Sequence, residues 1–359
     1  MRRTYASTAM DASRERDELL EPASRSARGE TTATWTWRQR AIALAMTIGV
    51  GLLMTIASAS NWGVEPRAEL RKSFKCAVFF KPQFSGFRIC NSQWTNAGDL
   101  LGEPVVRELL ERHFQCDAYA YITHRMKSPG ANCLWSVGSM MQYVHSGDVV
   151  WGLGVWHADE YAAPRLGTPL DFEVRGVRGP ETAHLLHKVH GVHVNPIGDP
   201  AFLVSELFPE IKPSAEYKCL IRHISGDKTV PPEGVRDFTP GEDWRSFVEQ
   251  VARCSHVYSS SLHGLVVADA FGIPSRWFFP EDQNVVVDQS DFKYRDWLEM
   301  TGRGEQFLRP RHDVNGVLDE TSYATPINTV SRRDIIDKLV SSFPFDMFYT
   351  KDIVDDEDA

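Results

Sequence analysis

The sequence predicts an α/β protein: two α/β domains with parallel sheets, carried behind a single N-terminal transmembrane helix. Three observations predict it. From residue 75 onward, short apolar runs suited to buried strands alternate with stretches of helical periodicity. Pro209 and Pro213 interrupt that series midway and mark a joint. Upstream, the uncharged run AIALAMTIGVGLLMTIASA fills residues 41–59. The chain has 359 residues, 42% hydrophobic and 24% charged, enough for two cores; disordered, collagen-like and disulfide mini-protein classes are excluded. A net charge of −9 with no basic face argues against nucleic-acid binding.

Residues 1–40 are rich in Ser, Thr, Arg and Glu without periodicity, the pattern of a disordered cytoplasmic tail. The 41–59 run would rise about 28 Å as a helix, close to the hydrocarbon thickness of a bilayer. Trp35, Trp37 and Trp62 bracket it, and Arg38 and Arg40 directly precede it, which suits a signal anchor with the C-terminal part outside the cytoplasm. Arg67, Arg71 and Lys72 on the far side pull against that orientation. Residues 60–74 read as a stem.

The first domain is expected over 75–208. It opens with a strand at KCAVFF (75–80), followed by a helix over 98–114 that places Leu101, Val105, Leu109 and Leu110 on one face. A strand DVVWGLGV (148–155) ends in glycines, and FEVRGVRG (172–179) alternates as a strand should. Pro180 opens a helix that Gly191 closes, VHVNPIGDP (192–200) returns as strand and turn, and a helix runs Ala201 to Leu207. The second domain is expected over 214–350, with strands at 217–224, 256–260 and 276–279. Its helices are expected at 241–253 and 262–272, the latter closed by Gly272 and Pro274. Residues 351–359 form an acidic tail.

Six cysteines (Cys76, Cys90, Cys116, Cys133, Cys219, Cys254) contain no CxxC pair, which disfavours zinc. A luminal location permits disulfides, and the sequence leaves open a bridged set or buried thiols with at most one bridge. His184, His187, His190 and His193 recur every third residue and drift round the helix, a poor metal arrangement.

In open parallel sheets, chemistry sits in the loops after the strands. Asn96 and Asp99 are helix-capping residues whose helix start offers N–H donors to an anion. Arg178 lies at a strand end beside a helix mouth, placed to grip a carboxylate or phosphate, or to form an interdomain ion pair. In SSSLHGLVVADAFGIPS, Ser260, Ser261 and Leu262 lead into a helix with His263 in its first turn, a polar cradle with a titratable imidazole. Strand-like alternation in FKYRDW would set Lys293 and Arg295 on one side.

Taken in order, NAGD, DVVWGLGV, VRGPET, GDPAFL and SSSLHGLVVADAFGIPSRWF resemble the polysaccharide pyruvyl transferase family over roughly residues 75–300. FKYRDW resembles its branch acting on succinoglycan-type polysaccharides. The resemblance implies two Rossmann-like domains in a GT-B-like arrangement, and transfer of pyruvate from phosphoenolpyruvate to a glycan, commonly galactose, as a ketal. Arg178 matches the family's anion-binding arginine and His263 its histidine, implying catalytic roles for both. Many members carry arginine where this chain has Ser261; Arg276, Lys293 and Arg295 are the candidates to replace it. No metal or other cofactor is implied beyond the phosphoenolpyruvate donor. The anchored layout resembles Golgi type II versions of the enzyme. The alternatives are a GT-B-like glycosyltransferase using a nucleotide sugar and a non-catalytic, membrane-tethered glycan-binding protein.

Overall fold

The computed structural model describes residues 76–91, 96–116, 123–125, 131–224, 231–241, 243–278, 291–305 and 329–352. The expected tail, anchor and stem, and residues 353–359 of the acidic tail, lie outside the described residues. Among the described residues no helix is long and apolar enough to cross a membrane.

The chain is a mixed α/β structure built on parallel sheets. Five strands form the first sheet, in the order β3 (Thr123–Arg125), β2 (Arg88–Asn91), β4 (Cys133–Trp135), β5 (Val149–Leu153) and β6 (Glu173–Val177). Every pairing in it is parallel. The second sheet runs β10 (Ser275–Trp277), β9 (Cys254–Ser259), β7 (Tyr217–Ile221) and β8 (Val235–Phe238), again all parallel. Parallel strands need crossovers, and these supply the helices. In each sheet the chain starts inside and then turns back, so the order reverses between β2 and β4 and between β7 and β9. Ligand crevices form beyond the carboxyl ends of strands at such reversal points.

The helices follow local sequence. After the single turn α1 (Ala97–Leu100), α2 (Gly102–Phe114) buries Val105, Val106, Leu109 and Leu110 and ends at Gln115 in the left-handed region. A short α3 covers Ala158–Ala162. α4 (Pro180–His190) starts on proline and stops at Gly191, φ 72°. A 3₁₀ turn, Pro200–Leu203, leads into α5 (Val204–Leu207), so the expected 201–207 helix is two short pieces. α6 (Trp244–Ala252) is capped by Asp243, whose carboxylate accepts from the N–H groups of Arg245 and Ser246. Every residue of α7 (Leu262–Ala270) is buried, because it lies between the second sheet and the 200–203 turn. α8 (Asp291–Met300) and α9 (Thr329–Ser342) complete the set.

Two expectations are corrected here, and the cysteine alternatives left open by the sequence are resolved. KCAVFF does form a strand, β1 (Cys76–Phe80), but it joins no parallel sheet; it pairs antiparallel with β11 (Phe348–Asp352). An apolar run specifies burial, not partner. Segment 192–200 makes only an isolated bridge, Pro196 to Val177. No free thiol remains among the described residues: Cys76 pairs with Cys116, Cys90 with Cys133, and Cys219 with Cys254.

One apolar core runs through both halves, from Val78 and Ile89 through Phe202 to Val257, Leu265, Trp297 and Leu339. α9 returns the chain to the first sheet. The Trp151 indole N–H on β5 donates to the Leu339 carbonyl at 3.0 Å, and Phe343 meets the same ring edge-on at 4.8 Å.

Candidate active site

The loops after the strands of both sheets converge around His263. α7 begins at Ser261, directly after β9, and carries the imidazole in its first turn, 3% exposed. α1 lies against that ring so closely that a Cβ on Gly98 would stand 2.3 Å from it. Glycine is therefore the residue that lets the two halves meet here. The Ala97 N–H donates to the Gly241 carbonyl at 2.6 Å, a second tie between α1 and the loop before α6.

Two carboxyl groups bracket the imidazole. Asp99 Oδ1 stands 3.5 Å from Nδ1, and Asp199 Oδ2 stands 3.8 Å from Nε2. Asp199 is fully buried and caps the 200–203 turn with its other oxygen, which accepts from the Ala201 N–H at 3.0 Å. Asp199 Oδ2 and His263 Nε2 have no hydrogen-bond partner. The Asp99 side chain keeps 15% of its surface exposed, which makes it the carboxyl of the pair with access to solvent.

Burial decides the protonation of this group. It raises Asp99 to about 6, against the opposing pull of Lys293 and Arg178. It raises Asp199 to about 7, where Arg178 and the Ala201 N–H lower the value and the charges of Asp99 and Asp296 raise it. It lowers His263 to about 3, with Arg178, Lys293 and His223 adding to the effect. His223, just past β7, is also lowered to about 3, by burial and then by Lys293. Near neutral pH the imidazoles are uncharged, and the carboxyls hold the exchangeable protons.

Arg178 is fully buried and already engaged. Its Nε–H donates to Asp296 Oδ2 at 3.0 Å, Nη1 to Ser139 Oγ at 2.6 Å and Nη2 to the Val155 carbonyl at 3.2 Å. Asp296 also accepts from the Thr182 N–H at 2.9 Å and the Thr182 hydroxyl at 2.8 Å. The arginine thus joins β6 to α8 across the two halves. Its charge acts on Asp99, Asp199 and His263, while three of its donors serve the protein.

FKYRDW is helical, inside α8, which corrects the expected alternation: two residues apart on a helix face nearly opposite ways. Lys293 turns inward, 6% exposed, with Nζ 3.3 Å from His223 Nε2 and 5.7 Å from the Trp156 ring. Arg295 turns outward and pairs with Glu181 at 3.2 Å. The Tyr294 hydroxyl donates to the Ser260 carbonyl and fastens α8 to the serine loop. Ser260 Oγ accepts from the His223 N–H at 3.0 Å; Ser261, the residue before α7, makes no side-chain cap bond. Asn96 caps α1, accepting from the Gly98 N–H at 3.1 Å. Arg276 pairs in register with Tyr258, whose ring packs with Leu220 and Phe278 on the sheet face away from α7. The structure therefore brings Asp99, Ser260, Ser261, Leu262, His263 and Lys293 together with Arg178, and holds Arg276 and Arg295 apart.

Residues 143–278 match the family described as polysaccharide pyruvyl transferase. The matched segment holds Arg178, Asp199, His223 and His263, while Asp99 and Lys293 come from the flanking chain. The succinoglycan biosynthesis protein ExoV of Rhizobium meliloti (strain 1021) is 27% identical over 147 residues, covering 39% of this chain and 44% of that protein. The chain thus spans less than half the length of that curated relative. Two solved structures are distantly similar. One is a functionally uncharacterised Klebsiella pneumoniae protein (TM-score 0.36, 14% identity, 60% of this chain and 88% of that one). The other is the wall teichoic acid polymerase TagF (TM-score 0.37, 8% identity, 73% and 84%).

Asp199 and Asp296 escaped the sequence reading, whereas RHISGDK (222–228) places Arg222 and His223 at a strand end in the sequence itself, though without a role. For Asp199 the only local signal is the aspartate before proline in GDP, which marks a turn cap. Asp296 becomes legible only once α8 is placed.

Proposed function

We propose that this chain transfers pyruvate from phosphoenolpyruvate to a galactose-containing glycan, forming a cyclic ketal across two hydroxyls. The observation that carries the reading is the His263 imidazole between Asp99 and Asp199, beside Lys293 and within range of Arg178, in a segment that matches the pyruvyl transferase family. Two parallel sheets whose strand-end loops meet around His263 support a GT-B-like arrangement, with the donor at the start of α7.

The chemistry follows from the groups present. The donor is a multiply charged anion, and the start of α7 offers N–H groups and the positive end of a helix dipole, with Lys293 alongside. Protonating the donor's methylene carbon leaves an oxocarbenium-like centre. A sugar hydroxyl attacks it and gives its proton to a carboxylate. Phosphate departs with the electrons of its C–O bond, and the second hydroxyl closes the ring, its proton passing to the departing phosphate. The proton donor must hold a proton near neutral pH. His263 alone is neutral there, whereas Asp99 and Asp199 are raised into that range. His263 therefore acts as ligand and relay between two carboxyls. A bound phosphate would raise its own pKa in turn.

Three disulfides among the described residues fit an oxidising compartment, in keeping with an anchored enzyme whose catalytic part faces the Golgi lumen. The test is incubation with phosphoenolpyruvate and a galactoside, followed by mass analysis of the glycan. A pyruvyl ketal on the sugar is the expected product. Glycan unchanged by phosphoenolpyruvate but extended by a nucleotide sugar would replace this reading with a glycosyltransferase.

A further inference from the structure

Asp199 Oδ2 and His263 Nε2 are both buried, face each other at 3.8 Å, and have no hydrogen-bond partner. That separation is beyond a hydrogen bond, and leaving two buried polar atoms unpaired is unfavourable. Asp199 is not merely a turn cap, since Oδ1 alone does that work. The second oxygen points at the ring instead.

We propose that the cleft takes up its anion together with a proton, and that Asp199 is the positioning residue that keeps this proton at His263. The inference rests on the pyruvyl transfer reading for the donor's identity; for the proton it rests on the facing, unpaired Oδ2 and Nε2, supported by the burial that raises both carboxyls. His263 faces Asp99 from α1, Asp199 from the 200–203 turn, Arg178 from the end of β6, Lys293 from α8 and His223 from the end of β7. Asp199 faces Arg178, Asp99, Asp296 and the same ring. An incoming dianion adds negative charge to a buried set that already has two carboxyls close to titration. Taking a proton from solvent offsets that charge. The proton sits on Asp199 Oδ2 and is donated to His263 Nε2 once a small shift brings the two atoms from 3.8 Å into hydrogen-bond range, which satisfies both orphaned atoms, and no bond in the ligand breaks. Asp99, open to solvent, serves the acceptor side instead.

The experiment is calorimetric titration of the full chain in detergent with phosphoenolpyruvate, in two buffers of different ionisation enthalpy. The wild type should bind with a buffer-dependent heat corresponding to about one proton taken up near pH 8, shrinking toward about pH 6, where Asp199 already holds it. Asp199→Asn keeps an oxygen for the Ala201 N–H and should lose most of the uptake; Asp99→Asn should retain most of it. Buffer-independent heat in the wild type, or uptake unchanged in Asp199→Asn, overturns the proposal. The wild-type result decides even if the variant fails to fold. Inorganic phosphate is the second probe. If it binds with proton uptake and phosphoenolpyruvate does not bind, the pyruvyl transfer reading falls and the role of Asp199 stands. If neither binds, both fall.

Discussion

Arg178 and Asp296 meet inside the molecule from distant parts of the chain, each fully buried and each hydrogen-bonded more than once. Removing one partner strands the other, so Arg178→Ala should lose about 3–5 kcal/mol of stability in urea unfolding as well as activity. His263→Ala, by contrast, should keep the fold and lose transfer, separating chemistry from scaffolding in one pair of assays. The buried acids give a pH signature. Their native pKa values exceed the unfolded one, so the native state binds more protons and stability falls as pH rises from about 4 toward 7. His263 and His223 are depressed, so their contribution is lost as pH falls below about 6.5 toward 3, the opposite sign. Asp199→Asn should therefore unfold at a higher temperature than the wild type near pH 8 and approach it only below about pH 4, with a gain of up to about 4 kcal/mol. The pairing of Asp199 with His263 was invisible in sequence. The two are far apart along the chain, and nothing local marks a carboxyl as facing a distant ring. His263 was legible because serines, a helix start and an imidazole fall within one short stretch.

At the scale of elements, what was readable is what is local. The strands at 148–155 and 217–224, the helix from Pro180 to Gly191 and the helix after the serine loop all have their own start and stop residues. FKYRDW follows Ser290 and Asp291, residue types that cap helices, but its own two-residue alternation of aromatic and charged side chains reads as a strand. Only its burial pattern, Phe292, Tyr294, Trp297 and Leu298 inward, shows the helix. That helix carries Lys293 inward. Lys293→Met should raise the KM for phosphoenolpyruvate by about tenfold or more, with a smaller effect on kcat and a weaker salt dependence of binding, measured by initial rates. The α1–α7 contact makes a sharper case. In Gly98→Ala the new methyl would occupy the position of the His263 ring, so either the ring or the helix must move. The expected outcome is a loss of about 1–3 kcal/mol with transfer activity falling further than stability explains, read by parallel melts and rate assays.

Across the whole molecule, three cross-links span 40, 43 and 35 residues, each worth about 4 kcal/mol of unfolded-chain entropy in the simplest treatment. Two of them stitch strands of a single sheet, β2 to β4 and β7 to β9, and the third ties β1 to the end of α2. Incubation with a thiol reductant should lower the melting temperature by tens of degrees or prevent refolding, as followed by circular dichroism. The pairings could not be chosen from the sequence, because they depend on which strands become neighbours. The return of α9 to the first sheet and of β11 to β1 was equally hidden.

That return has a topological consequence. Cys76 and Asp352, the first and last of the described residues, stand directly opposite each other in the ribbon, so the described body begins and finishes at one spot. A linker of a few residues would join the two and turn the polypeptide into a closed ring, which could be reopened at a surface loop elsewhere. Such a permuted circle should refold and keep its ligands, since no part of the cleft depends on where the chain starts.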